Sequence, residues 1–348
     1  MTVEHLRISQ DRKRFDAMIG TGGVGSGMFF AVNGMHTIGR EESRSVRIED
    51  RKDYCKLHIV SHYVKSLLGN EFEVIAIGKV GEDDAGSELV REMREAGIAT
   101  EHMMICSGER TLFSFCFSYP DGSGGNLTTD DSASSKLTPQ DVHNAEEPFA
   151  RFGKRGIGIA LPEVPLDTRT ALLKLSTAYG LYRIASFTSN EMDEVKKGGI
   201  LEIIDHLAAN MDEAARLASG RSKEDTEERT VNAAVETLLK KNDKVTLSVT
   251  DGKNGSWIWD KRKLHRLQAP EVEAVSTAGA GDAFLGGLVA GISAGFGLLE
   301  AQQLATLVGS LSVTSPHTID KRIDREAINN FAHSKGFPVC AALKEVLR

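Results

Sequence analysis

Short apolar runs alternate along the chain with stretches whose apolar residues recur every three or four positions, the pattern of βα units feeding a mostly parallel sheet. After a first strand over 15–19, Val74-Ile75-Ala76-Ile77-Gly78 predicts a buried strand. Leu89, Val90, Met93 and Ala96 then share one helical face, with Gly97 closing the helix. A strand over 157–160 leads into a helix over Leu166–Tyr179, with Asp167 at its N-cap and Ala171, Leu172, Leu175 and Ala178 turned inward. Further units follow as a strand over 182–187, a helix over 226–241 and a strand over 245–249. Two regions break the rhythm, 20–50 and 106–126. The second reads TLFSFCFSYPDGSGGN, a strand and a Pro/Asp/Gly turn. They predict a small β lid over a single α/β domain spanning 1–348. The charge run SKEDTEER at 222–229 reads as a solvated loop and first helical turn.

Composition narrows the function classes. The chain has 348 residues, 42 basic and 49 acidic, a net charge of −7, and no Lys/Arg-rich block to track a phosphate backbone. Nucleic acid is therefore not an expected partner. Cys55, Cys106, Cys116 and Cys340 form no C-x-x-C pair and follow no zinc-ligand spacing, which suits reduced thiols in a cytosolic enzyme. The first fifteen residues lack an apolar core, and nowhere do about eighteen apolar residues run together, so no membrane partner and a cytoplasmic location are expected.

The segment that carries chemistry is Ser276-Thr277-Ala278-Gly279-Ala280-Gly281-Asp282, set between a strand-like stretch over 272–275 and a helix over 283–294. Gly279 and Gly281 permit backbone conformations closed to bulkier residues, so successive N–H groups can point at one anion where the helix dipole adds positive charge. Phosphoryl transfer is chiefly positioning and charge stabilisation, and such a hole suits a γ-phosphate. A carboxylate at its edge, Asp282, can orient the attacking hydroxyl, because a loose transition state asks little basicity of its base. A plain N-cap with packing glycines explains these seven residues equally well.

Other segments, in order, tip that balance. S-T-A-G-A-G-D-A-F at 276–284 resembles the second signature of the ribokinase-like, or PfkB, family of carbohydrate kinases. Gly78 to Gly86 is similar to the family's G-x-V-G-x-D-x-x-G segment, Leu137-Thr138-Pro139-Gln140-Asp141 to its L-T-P-E-D, Asn210 to Glu213 to its N-x-x-E, and Thr250 to Gly255 to its T-x-G-x-x-G turn. The resemblance implies a three-layer α/β/α sandwich with a mostly parallel sheet and a small β lid. It implies transfer of the γ-phosphoryl of ATP to a hydroxyl of a sugar or sugar-like molecule, or of a nucleoside. In its terms Asp282 is the catalytic base and Gly279, Ala280 and Gly281 form the anion hole. Asn210, Glu213, Thr250, Gly252, Gly255, Thr277 and Thr306 serve ATP, with Glu213 holding Mg2+ indirectly. A homodimer through the lid also follows from the likeness. Asn210 and Glu213 equally fit a helix-capping pair, a role compatible with the other.

The N-terminal half departs from the family. No Asp follows the first strand, and KLHIVSHYVKSLLG at 56–69 replaces a glycine-rich segment, so the acceptor is unnamed; Gly22, Gly23 and Gly25 are the candidates for its pocket. His58, His62 and Lys65 read as solvent-facing positions on an amphipathic helix. Ser276 stands where the family usually carries Asp, which bears on the monovalent-cation (K+) site of many relatives. Two other classes compete. Gly20-x-Gly22-x-x-Gly25 after an apolar strand, with Glu41 and Glu42 further on, is what a dinucleotide-binding oxidoreductase would show. A non-catalytic binding protein on a kinase scaffold is the other.

Overall fold

The computed structural model describes residues 3–120, 124–218 and 226–348. Residues 222–225 of the charge run and 121–122 of the expected turn lie outside the described residues. The described residues include thirteen strands. These are β1 (Ala17–Thr21), β2 (Gly25–Val32), β3 (Val46–Tyr54), β4 (Glu73–Gly81), β5 (Ala99–Cys106), β6 (Leu112–Ser118), β7 (Gly124–Thr128), β8 (Gly156–Ala160), β9 (Tyr182–Ser186), β10 (His206–Asn210), β11 (Thr246–Thr250), β12 (Ser256–Trp259) and β13 (Leu264–Leu267). Nine form one sheet in the order β13-β12-β11-β10-β9-β8-β1-β4-β5. It is parallel from β5 to β11 and closes with the antiparallel pair β12 and β13.

Continuous apolar strands cover both faces of this sheet because successive side chains point to opposite sides. Met18, Val74, Ala76, Ile157 and Ile159 enter one core, under the helices Lys56–Leu68, Ala280–Ser293 and Leu298–Ser312. Ile19, Ile75, Ile77 and Ala160 enter the other, under Leu166–Tyr179 and Glu227–Leu239. The result is the expected three-layer α/β/α sandwich.

The two irregular regions meet in a four-stranded sheet, β3-β2-β6-β7, which forms the lid. Asp83 clamps its base: one carboxylate oxygen accepts from Gly86 N at 2.8 Å, the other from Thr111 N at 2.8 Å, just ahead of β6. Of the segment from Gly78 to Gly86, the first four residues end β4 and only Glu82 and Asp83 turn the chain into the helix Asp84–Glu95.

Four local expectations change. The first strand is β1, two residues later than predicted, where pairing with β4 and β8 sets the register. Residues 272–275 form no strand; Val275 N and Ser276 N both donate to Val313 O instead. Pro165, not Asp167, caps the helix Leu166–Tyr179, and Asp167 sits in its first turn, accepting from Thr168 N at 2.7 Å. His58, His62 and Lys65 are buried on a helix face that looks polar in sequence: Tyr54 of the lid packs edge-on against His58, and Lys65 Nζ donates to Phe72 O at 3.0 Å.

Candidate active site

The groups singled out in the sequence collect at the carboxyl edge of the parallel strands, beside β1, where chain direction through the sheet reverses between β4 and β8. Crevices of this kind are where open α/β sheets bind ligands. The helix Ala280–Ser293 begins there. Gly279 precedes it with φ 74, a left-handed conformation in which a side chain would also press on Thr318 at 3.1 Å. Ala280 N–H turns back to Thr277 O and Ala283 N–H closes the first helical bond to Gly279 O. The first-turn N–H groups of Gly281 and Asp282 take no part in those bonds, and nothing crowds Gly281.

Asp282 faces a partner 226 residues away in sequence: Lys56 Nζ lies 3.4 Å from Asp282 Oδ1. Lys56 opens the helix Lys56–Leu68, so its backbone N–H is an orphan donor, and Glu163 Oε2 accepts it at 3.2 Å. Asp282, then Glu163 and Glu213, hold the Lys56 ammonium well above its usual pKa against the cost of burial. Burial pushes the Glu163 carboxyl up to about 7; Lys56 pulls it down while Asp282 and Asp53 push further up. The lid completes the wall. Asp53 on β3 is 5% exposed and accepts from the Cys116 thiol on β6 at 2.9 Å. Burial and Asp53 raise the Cys116 thiol so far that it stays protonated. Cys55 is likewise buried, raised by desolvation, with Glu163 and Asp53 nearby.

On the other side of Asp282, β10 ends at Asn210. Asn210 Oδ1 accepts from Glu213 N at 2.9 Å, and Glu213 Oε2 accepts from Asn210 N at 2.8 Å, a reciprocal capping box. That pairing occupies one Glu213 oxygen and leaves the other available. Burial lifts the Glu213 carboxyl to about 7, with Lys56 and Asp282 both close enough to act on it. Thr250 ends β11, and the turn to β12 carries Gly252 in open space and Gly255 at φ 94, where a methyl group would meet Leu267 O at 2.0 Å. Asp251 N donates to Gly255 O at 2.9 Å, closing the turn.

Two groups of expected residues sit differently. Thr306 is 3% exposed, with its hydroxyl 3.4 Å from Ser256 Oγ, inside the packing of the Leu298–Ser312 helix on β12. Gly22, Gly23 and Gly25 are buried between β1 and the lid, where added side chains would strike Leu161, Glu163 and Leu112. Thr277 lies exposed at the helix mouth. Among the described residues no three His, Cys, Asp or Glu side chains are grouped to hold a metal directly.

The glycine loop also decides against the oxidoreductase. A dinucleotide site needs a helix after the loop so that its N-terminus meets the pyrophosphate. Here the loop feeds β2, an interior strand of the lid paired with β3 and β6. Lys56 and Glu163 were missed by sequence reasoning. Lys56 lay in a segment read for its missing glycines and for His58, His62 and Lys65, and the one local signal for Glu163 was a charged residue between prolines in Leu161-Pro162-Glu163-Val164-Pro165.

A family model described as pfkB family carbohydrate kinase matches residues 60–325. The chain belongs to that family. It is 23% identical over 218 residues to a ribokinase of Staphylococcus aureus, covering 61% of this chain and 66% of that one. It is 25% identical over 300 residues to the 2-dehydro-3-deoxygluconokinase of Bacillus subtilis, covering 80% and 90%. The structure of Arabidopsis thaliana ribokinase complexed with ribose and ATP superposes with a TM-score of 0.71 at 19% identity, covering 91% of this chain and 98% of that one. The ribokinase-like fold and a phosphotransferase acting on a sugar hydroxyl follow from the family, and nothing supports the oxidoreductase.

Proposed function

We propose that the chain transfers the γ-phosphoryl group of MgATP to a hydroxyl of a sugar-like acceptor bound under the lid. The observation that carries this is the meeting of Asp282, at the open first turn of its helix, with Lys56 and Glu163 on the lid side. The N–H groups of Gly281 and Asp282, with Gly279 shaping the turn, receive the transferred oxygens, and Asp282 takes the proton of the attacking hydroxyl. Lys56 neutralises the carboxylates around the acceptor, and Glu163 accepts a hydrogen bond from one of its hydroxyls. Thr250, Gly252, Gly255 and Thr277 line the nucleotide side. The spare Glu213 oxygen, steadied by Asn210, suits a water of the Mg2+ ion, which supplies charge neutralisation between the phosphates.

Three further points belong to this reading. Ser276 Oγ accepts from Ala278 N at 3.3 Å and brings no charge to its turn, so a monovalent cation there would lack a carboxylate from this position. The outer lid face exposes Val46, Ile48, Phe115 and Leu127, an apolar patch that a second copy of the chain covers. Buried thiols at Cys55 and Cys116 suit a reducing cytoplasm. The test is ADP release across sugars, sugar acids and nucleosides, with Asp282→Asn as control. No turnover on any member, with wild-type and variant indistinguishable, refutes the assignment.

A further inference from the structure

Thr318 stands where the lid, the turn before Asp282 and the C-terminal stretch meet. It is 4% exposed, lies beyond the Leu298–Ser312 helix, and its Oγ accepts from Tyr54 N at 3.0 Å across 264 residues. Tyr54 ends β3, at the edge of the lid sheet, and Lys56 follows two residues later. The same threonine lies against the glycine that shapes the turn before Asp282: a methyl group on Gly279 would come within 3.1 Å of both Thr318 Cβ and Thr318 O. The stretch is itself fixed to the helix that Lys56 opens. Asp320 N donates to the Tyr63 hydroxyl at 3.0 Å, and Ser66 Oγ donates to Ile323 O at 2.9 Å. Tyr54 is held at its far end too, its hydroxyl donating to Glu92 Oε2 at 2.7 Å. Packing alone would be served by valine, which has the shape of threonine without a hydroxyl to bury. Here the hydroxyl is spent on the strand end that leads into Lys56.

We infer that Thr318 is a positioning residue for phosphoryl transfer: it ties the end of the lid strand to the Gly279 turn and so fixes the Lys56 ammonium against Asp282. This rests on the kinase assignment above and goes beyond it, because Thr318 supplies no group to the reaction. Lys56 and Asp282 sit 3.4 Å apart on separate helices, and Thr318 touches the residues that lead into both. A displacement of about 1 Å among reacting groups is worth about a hundredfold in rate, so a loosened strand end is felt at the chemical step.

The test is ADP release with kcat, acceptor KM and ATP KM determined separately, on an acceptor that the wild-type protein phosphorylates. Thr318→Val keeps the side chain's size and removes the acceptor of the Tyr54 N–H; it lowers kcat about five- to fiftyfold and leaves ATP KM within about twofold. Thr318→Ser keeps the hydroxyl and recovers kcat to within about threefold of wild type. In a Lys56→Met background Thr318→Val lowers kcat by less than about twofold, because the group it positions is already gone. Equal losses in the two backgrounds overturn the inference, and so does an ATP KM that rises in step with the fall in kcat. If Thr318→Val does not fold, Thr318→Ala takes its place, and wild-type kcat in that variant is equally fatal. A folded Thr318→Ser as slow as the variant without a hydroxyl assigns the effect to the methyl group and overturns the inference as well. If the wild-type protein releases no ADP with any sugar, sugar acid or nucleoside, the kinase assignment itself has failed and the inference with it.

Discussion

Replacing Lys56 by methionine removes an ammonium that faces three carboxylates, Asp282, Glu163 and Glu213, while keeping most of the side chain's length. Lys56 Nζ and Asp282 Oδ1 are 3.4 Å apart, with the two side chains 32% and 16% exposed. Coulomb's law at an effective dielectric of about 20 gives about 5 kcal/mol for that distance. Solvent screening at this exposure and the desolvation of both groups leave about 1–3 kcal/mol. Lys56 also holds down the Glu163 carboxyl, which burial has already raised to about 7. Losing the ammonium lifts that carboxyl further. The assay is the pH profile of acceptor kcat/KM, followed by ADP release at saturating ATP. The wild-type profile has an acid limb near pH 7, because an ionised Glu163 is the better acceptor of a hydroxyl. Lys56→Met moves the limb upward and lowers the plateau about ten- to hundredfold. Lys56→Arg retains the limb. Glu163→Gln abolishes it, which separates Glu163 from Glu213, whose carboxyl burial raises to a similar value. A Lys56→Met profile superimposable on wild type refutes the electrostatic account of the site.

Other expectations are more direct. Asp282→Asn lowers kcat by about two to four orders of magnitude with little change in ATP KM, the expected loss for a general base. Gly255→Ala, which forces a methyl group to 2.0 Å from Leu267 O at φ 94, destabilises by about 2–4 kcal/mol in urea unfolding. Buried His58, His62 and His206 have pKa values pulled by desolvation to about 3, 4 and 3. The unfolded chain binds those protons first, so their contribution to stability is lost as pH falls from about 6.5 toward 4. The raised Glu163 and Glu213 act in the opposite sense between about 4.5 and 7, where the folded protein holds the extra protons. His206→Gln, judged by urea midpoints across that range, weakens the acid loss; an unchanged slope rules out its share. Ile48→Glu with Leu127→Glu, followed by sedimentation velocity, converts a dimer to monomer if the lid face is its interface.

The sequence by itself determined whatever depends on neighbours a few residues apart. Periodicity two against three or four placed β4, β8 and the helix Leu166–Tyr179, because those patterns fix which side chains can share a face. Gly279 to Asp282 was legible as a glycine turn opening a helix because that is a local property of the backbone, and Asn210 with Glu213 because a capping box spans a single turn. What the tertiary structure decided depends on groups far apart in the chain. Lys56 reaches Asp282 across 226 residues, and Glu163 reaches Lys56 across 107. The polar face of the Lys56–Leu68 helix looked solvated because periodicity records polarity and not the neighbour that covers it, and the fold covers His58 and His62. The glycine loop could open a helix or a strand on the same local freedom; parallel pairing with β6 sent it into the lid. The charge and shape around the acceptor hydroxyl come from loops that only the packed sheet brings together.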